Sequence, residues 1–504
     1  MSKNLSDLTG RKGIEANLFT KIGEAASADG TPDHAELDRL ANEFLIGKAN
    51  VFGTATFYDF LKPENQGKKV YVCNGSACLC AGTQDKLISH LKERFSEDEI
   101  GHMTCLGRCH ENGAFHYAGK NYSALDAEGF DAVFENTGKK EDRYHIAAHG
   151  QPVLTRPFDG MEAYAALLKG ALAKDSAAIL EEVKAAGVRG RGGAGFPMGV
   201  KWEFARKAPG DLKFIICNAD EGDPGAYSDR YLLEQRPHAV LLGMVIGGYC
   251  MGAEWGVLYI RAEYPEAFPV VESAIEDFRS SGLIGKDIFG SGFNFDFKIV
   301  KGQGSYICGE ETALISSIEG QRPEVRVRPP FPAQKGLFNK PTIVNNVETL
   351  ATVPFILKEG AGAYAALGTE KSKGTKLVSL DSYFNRPGIY EVEMGTPLSK
   401  VVNELGGGFR KPVKALHIGG PLGGLVPASK IDELTVDFES FASNGFLLGH
   451  ASVVSIPEDF SIMTYLVELM DFAAVESCGK CFPCRLGTKR AHEMLERANT
   501  SSFR

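Results

Sequence analysis

The sequence predicts a multidomain α/β protein organised round a parallel sheet covered by helices, and three observations predict it. Strand-like and helix-like stretches alternate over residues 213–217, from Arg230, 257–261, 271–278, 295–300 and from Glu310. Such an order implies parallel strands, with ligands held outside their carboxyl ends. Two glycine-rich and acidic loops fall at those ends, at 218–223 and 302–311, and a third precedes the first strand at 190–197. The length of 504 residues exceeds the ~250–300 at which a single core stops growing, so several domains are expected.

Glycine lets a backbone approach a ligand and turn its N–H groups on phosphate oxygens, so three such loops in one domain point to a large phosphorylated cofactor. The first loop, Gly190-Arg191-Gly192-Gly193-Ala194-Gly195-Phe196-Pro197, formally fits G-x-G-x-x-G. Residues 176–188 before it have helical spacing, so it is not an ordinary Rossmann turn, which needs a preceding strand. A bare connector between two helices is its plainer reading. The carboxylates of Asn218-Ala219-Asp220-Glu221-Gly222-Asp223 and Gly309-Glu310-Glu311 suit hydroxyl groups, not phosphates.

Composition narrows the class further. The formal net charge is -9 and no basic block offsets it, which argues against nucleic-acid binding. The N-terminal residues lack the apolar core of a secretory signal. The longest uncharged run, 238–253, is shorter than a ~20-residue bilayer span and reads as a buried helix. Of 11 cysteines, most fall in tight groups, which in a long chain without a signal favours metal ligation over disulfides.

The first group is Cys73 and Cys78 after the strand-like 69–73, then Cys105 and Cys109 beyond an amphipathic helix around 83–94. Four thiolates as C-x4-C and C-x3-C can hold a 2Fe-2S cluster or a zinc ion. Cys80 competes with Cys78 as second ligand, or is a small buried hydrophobe. The second group, Cys478-Gly479-Lys480-Cys481-Phe482-Pro483-Cys484, sets three thiolates round one corner, as a 4Fe-4S cubane requires. No cysteine follows Cys484, so a fourth ligand is expected from a continuation past Arg504 or from another residue type.

The runs GRGGAGFPMGVKW, CNADEGDPG, YICGEETAL, RPPFPAQKG and NKPTIVNNVETL, in that order from about Asp159 onward, resemble the flavoprotein subunit of respiratory complex I. They are equally similar to its relatives in NAD-reducing hydrogenases and NAD-dependent formate dehydrogenases. Residues Phe52-Gly53-Thr54-Ala55-Thr56-Phe57-Tyr58 and the first cysteine group resemble the thioredoxin-like ferredoxin subunit. The resemblance implies FMN, an NAD(H) site above it, a 2Fe-2S and a 4Fe-4S cluster, and other iron–sulfur or catalytic subunits as partners. It implies cytoplasmic location, at most peripheral to a membrane, with no span of its own.

It also implies a division into a helical lead (1–60), a thioredoxin-like 2Fe-2S domain (61–150), a Rossmann-like FMN and NAD(H) domain (151–370), a small ubiquitin-like SLBB domain (371–430) and a helical 4Fe-4S domain (431–504). Residues 121–158 read as the end of the second unit and a linker. By resemblance, Gly190, Gly192, Gly193 and Gly195 hold the flavin phosphate, with charge from Arg191 and Lys201. Asn218, Asp220, Glu221, Asn345 and Asn346 hold the ribityl chain and ring, with Tyr306 and Gly309 beside them and Glu221 in the chemistry. Phe196, Phe204 and Phe331 stack on nicotinamide or adenine, or are core. Asp223 and Arg328 stand where relatives often carry Glu and Lys. Glu311, after Glu310, faces the adenosine ribose and favours NADH over NADPH, or merely caps its helix. The metal ligands are Cys73, Cys78, Cys105, Cys109, Cys478, Cys481 and Cys484. The alternative from another class is an iron–sulfur scaffold without flavin chemistry.

Overall fold

The computed structural model describes residues 3–29, 32–135, 142 and 144–500. Helices open the order of elements, and the first four strands follow: β1 (Val70–Cys73), β2 (Ile100–Met103), β3 (Phe115–Tyr117) and β4 (Lys120–Tyr122). They form one sheet in the order β2-β1-β3-β4, with β1 and β2 parallel and the other pairs antiparallel. β5 (His145–His149) lies in the stretch expected to be a linker. The end of β4 and a helix, Ala127–Phe134, fall in it as well, and its residues 136–141 and 143 lie outside the described residues.

The central sheet contains β6 (Phe214–Ala219), β7 (Trp255–Ile260), β8 (Asp296–Lys301) and β9 (Thr342–Asn346), all parallel, in the order β8-β7-β6-β9. The chain runs outward from β6 to β8 and then returns to β6's other side. The strand order therefore reverses between β6 and β9, and open α/β sheets place their ligand crevice at such a point.

Side chains alternate across this sheet, so each strand serves two cores. Ile215, Cys217, Leu258, Ile260 and Ile343 face a layer containing the uncharged helix Pro237–Met251, which is buried as its composition predicts. Phe214, Ile216, Val257, Tyr259, Val300 and Val344 face the other way, and there the sheet is covered by Leu18, Phe19, Ile22, Leu40, Phe44, Val51 and Tyr58 of the N-terminal helices. The helical lead is thus the second cover of the flavin-type sheet. Tyr58 Oη donates to Ser317 Oγ at 2.8 Å across that interface.

The third sheet takes β10 (Thr375–Leu380), β11 (Gly388–Glu393), β12 (Val413–Ile418), β13 (Gly424–Pro427) and β14 (Ser452–Pro457), in the order β13-β12-β14-β10-β11-β5. It exceeds the expected 371–430 at both ends. The fully buried β14 supplies an interior strand, and the exposed β5 adds an edge beside β11. Two helices, Ile462–Val475 and Phe482–Thr500, close the chain. Among the described residues no helix is long and apolar enough to cross a membrane.

Candidate functional site

The glycine loop is a narrow flap between the helices Ser176–Ala186 and Met198–Lys207. Its base is closed by a bridge between Arg189 and Pro197, and Gly190 N donates to Phe196 O at 2.9 Å. Gly193 has φ +123° and Gly195 φ +61°, which other residues adopt at a cost. A Cβ on Gly192 would sit 3.0 Å from Cβ of Asn346, so the flap lies directly on the end of β9. This is the reversal point, where Asn218 of β6 pairs in register with Asn346.

Arg191, expected to supply charge to a phosphate, is enclosed by the protein. Its side chain is fully buried and donates to the carbonyls of Thr375, Arg189 and Lys373 and to Tyr364 Oη. The guanidinium braces the flap against the neighbouring sheet and has no free donor edge for a phosphate. Lys201 remains, donating to Glu311 Oε2 at 2.7 Å and to Val344 O at 2.8 Å.

Glu221, expected to act in the chemistry, is enclosed as well. Its carboxylate is buried and accepts from Asp229 N at 2.9 Å, Arg230 N at 3.1 Å, Ser228 Oγ at 3.3 Å and Tyr264 Oη at 3.0 Å. It caps the helix Ser228–Gln235 from inside, because a buried carboxylate is stable where amide hydrogens converge. Asn345 is likewise turned inward, with Oδ1 accepting from Trp202 Nε1 at 2.8 Å.

Other residues of the set do meet. Asn218 donates to Gly309 O at 2.8 Å and accepts from Asp220 N at 3.1 Å, tying the two acidic loops together. Asp220 Oδ2 is buried with no protein partner, and burial pushes its carboxyl well up. An orphaned oxygen there fits a ligand hydroxyl. Tyr306 Oη donates to Asp223 Oδ1 at 2.9 Å. Glu310, not Glu311, caps the helix Glu311–Ile318, accepting from Thr312 N and Ala313 N at 2.9 Å. Glu311 is instead shared between Lys201 and Arg328, the latter at 3.1 Å.

Phe196, Phe204 and Phe331 keep 48, 53 and 54 % of their surface exposed. Phenyl rings exposed to this degree are available for stacking on a flat ligand.

The first cysteine group is buried and uncrosslinked. Cys105 Sγ lies 3.5 Å from Cys109 Sγ, and Cys73 is hydrogen-bonded to both Cys78 and Cys105. Cys78 adjoins Cys73, whereas Cys80 packs in the same cluster as Cys105 and Cys109, with burial and then Asp381 pushing its thiol up. Cys109 is pushed well up by its bond to Cys105 and then by burial. Four adjacent buried thiols form a donor set that a thiolate-binding metal centre stabilises. Gly75 leaves the approach open, since a Cβ there would reach within 3.5 Å of Cys73 Sγ. Gly225 N, from the flavin-side loop, donates to Cys109 Sγ at 3.2 Å.

In the second group Cys478 is buried, whereas Cys481 and Cys484 are exposed at the head of the last helix. Glu476, two residues before it, accepts from Tyr306 N at 2.9 Å, and burial and then Asp59 push its carboxyl up to about 7. A small pocket is lined by Asp59, Thr104, Asp220, Arg261, Tyr306 and Glu476. Its lining takes Asp220 and Tyr306 from the acidic loops, and Thr104 and Glu476, which precede Cys105 and Cys478 in the chain by one and two residues. Arg261, just beyond the end of β7, donates to Cys105 O at 2.9 Å and to Glu263 Oε1 at 2.7 Å. Sequence reasoning missed Arg261, Asp229 and His450, which lie in no recognisable motif.

Comparison with known proteins agrees with this assembly. Residues 183–355 match the Nuo51 FMN-binding domain, 464–504 the NADH-ubiquinone oxidoreductase-F iron-sulfur binding region, and 15–138 the thioredoxin-like [2Fe-2S] ferredoxin. The chain is 35 % identical over 494 residues to the NAD-reducing hydrogenase HoxS subunit alpha of Cupriavidus necator, spanning 92 % of this chain and 80 % of that one. It is 48 % identical over 323 residues to the NADP-reducing hydrogenase subunit HndC of Solidesulfovibrio fructosivorans, spanning 64 % and 66 %. With an NADH-quinone oxidoreductase subunit of Aquifex aeolicus it shares 41 % over 332 residues, spanning 66 % and 76 %. The crystal structure of an air-oxidized NAD+-reducing [NiFe]-hydrogenase superposes with a TM-score of 0.84 at 32 % identity, covering 96 % of this chain and 84 % of that one. With its three matched segments in this order, the chain belongs to the family of FMN- and iron–sulfur-bearing subunits found in NADH-quinone oxidoreductases and in the NAD-reducing hydrogenases.

Proposed function

We propose that the chain exchanges hydride between NAD(H) and FMN and single electrons between FMN and its two iron–sulfur clusters, as a subunit of a larger oxidoreductase of the hydrogenase, formate dehydrogenase or complex I type. The observation that carries this reading is one polar pocket lined by Asp220 and Tyr306 of the acidic loops together with Thr104 and Glu476, the residues that lead into the two cysteine groups. FMN, when bound, supplies the step between two-electron and one-electron chemistry.

The roles of the protein's own groups follow. Backbone N–H groups of Gly192, Gly193 and Gly195 receive the phosphate, and Asn218, Asp220 and Asn346 orient the remainder of the cofactor. Phe196, Phe204 and Phe331 stack on the dinucleotide, with Glu311, Lys201 and Arg328 on its ribose and phosphates. Cys73, Cys78, Cys105 and Cys109 hold the 2Fe-2S cluster. Cys478, Cys481 and Cys484 hold the 4Fe-4S cluster. Cytoplasmic placement suits a chain whose described helices include no membrane span.

The test is NADH reduction of a soluble acceptor together with flavin released on denaturation. Gly193→Val is expected to lose both, because a β-branched side chain cannot take φ +123° and fills the approach. A flavin-free preparation with full NADH-dependent activity would sink the reading.

A further inference from the structure

Asn346, at the reversal point, is held from beneath by two residues that no motif marks. Its Oδ1 accepts from Thr349 N at 3.2 Å, and its Nδ2 donates to Asp229 Oδ2 at 2.7 Å. His450 Nε2 donates to the same Asp229 oxygen at 3.0 Å, and its Nδ1 lies 3.4 Å from Ser228 Oγ. His450 and Asp229 are 6 % and 1 % exposed, and Asp229 Oδ1 has no protein partner. Glu221, 3.7 Å from the imidazole, is the second carboxylate of the pocket.

Two buried carboxylates and one ring are stable together when the ring carries a proton. Burial opposes that charge, but Asp229 and then Glu221 raise His450 to about 9, with Lys376 acting against them. The other groups facing this pocket are Asp223, Tyr264 on Glu221, and Glu348, which pairs with Lys376. The loop that carries His450 also supports the flap, since a Cβ on Gly193 would lie 3.9 Å from Gly449 Cα.

We propose that Asp229 and protonated His450 are a positioning pair for the flavin site, fixing Asn346 and keeping a buried positive charge beneath the glycine flap, where it favours an anionic cofactor. This rests on the reading of Asn346 as a flavin contact. The sign is fixed by linkage: the folded value of about 9 exceeds the ordinary ~6.5, so the stabilisation is complete below that ordinary value and is lost as pH rises through the folded one.

The full chain, stripped of FMN, is titrated with FMN by flavin fluorescence from pH 6 to 10. Wild type is expected to hold its affinity to about pH 8 and lose about tenfold through pH 9, one unit of pH being a factor of ten. His450→Gln, which keeps a hydrogen bond but no charge, is expected to bind about tenfold more weakly at pH 7 and to lack that step. A change belonging to the flavin ring itself appears in both proteins and cancels. Wild-type affinity and an unchanged step in His450→Gln overturn the proposal. If that variant does not fold, the wild-type profile decides, and a flat profile overturns it. Asn346→Ala separates the two readings: FMN lost there but retained normally by His450→Gln removes this inference alone, whereas FMN unaffected in both removes the flavin-site reading.

Discussion

Cys73, Cys78, Cys105 and Cys109 keep between 0 and 2 % of their surface open, whereas Cys481 and Cys484 are exposed and Cys478 alone of its group is covered, at 8 %. The first group lies where several parts of the molecule meet: Gly225 N and Arg261 reach it from the flavin-side domain, and Ser382 N donates to Cys109 O from the third sheet. The second stands at the start of a terminal helix, beside Val475 and Phe482, which are 64 and 65 % exposed. The difference teaches that one metal centre is part of the fold while the other is carried on its surface. Ligation at the buried group is coupled to the packing of neighbouring domains, and ligation at the exposed group is a local matter.

The largest expected effect breaks this comparison at its buried end. Cys105→Ser removes a ligand from inside the interface and should destabilise the whole chain by about 3 kcal/mol or more, because a lost metal site is lost folding energy. Cys481→Ser should leave the melting temperature within a few degrees of wild type. Equal melting temperatures for the two variants would erase the distinction.

Next in size is the separation of flavin and cluster roles. NADH reduction of a soluble acceptor should fall at least about a hundredfold in Gly193→Val, the scale of losing a positioned cofactor. In Cys478→Ser it should persist, since a soluble acceptor can take electrons without the surface cluster. Matching losses would show that the two sites are not independent.

A third test uses access. Iron bound by the exposed group should be removed by a water-soluble chelator before iron at the buried group, followed by the loss of each cluster's own optical and magnetic signature. Simultaneous loss would contradict the difference in burial.

The smallest effect sharpens the picture of the dinucleotide cleft. Because Glu311 is already shared by Lys201 and Arg328, the repulsion it offers a 2′-phosphate lies at the low end of the roughly 1–4 kcal/mol span for a close pair. Glu311→Gln should therefore relax the NADH to NADPH ratio of kcat/KM by about tenfold. Glu310→Gln should leave that ratio alone and cost about 1 kcal/mol of stability through its lost cap. A ratio unmoved by Glu311→Gln removes that residue from specificity.

The alternation of strands and helices and both cysteine groups were legible because each leaves a local pattern: period two, period 3.6, or fixed spacing. Burial was not. Arg191 and Glu221 stand in the expected motifs, yet their side chains point into the protein, since a motif places a backbone and the surrounding packing decides where the side chain goes. Asn346 was legible from its neighbours in sequence, whereas Asp229 and His450 come from segments 117 and 104 residues away in the chain. The reach of the third sheet back to β5 and forward to β14 was hidden for the same reason, because strand pairing at long range leaves no local mark.

The seating of the helical lead on the central sheet bears on how the gene can be divided. Expressing the chain from about residue 61 onward would strip much of the cover from Phe214, Ile216, Val257, Tyr259, Val300 and Val344, while the excised piece would carry Leu18, Phe19, Leu40 and Phe44 without the sheet they pack on. Both fragments would be sticky and insoluble apart, and soluble only when co-produced. A division at residue 61 therefore falls inside the hydrophobic core that the helical lead shares with the central sheet.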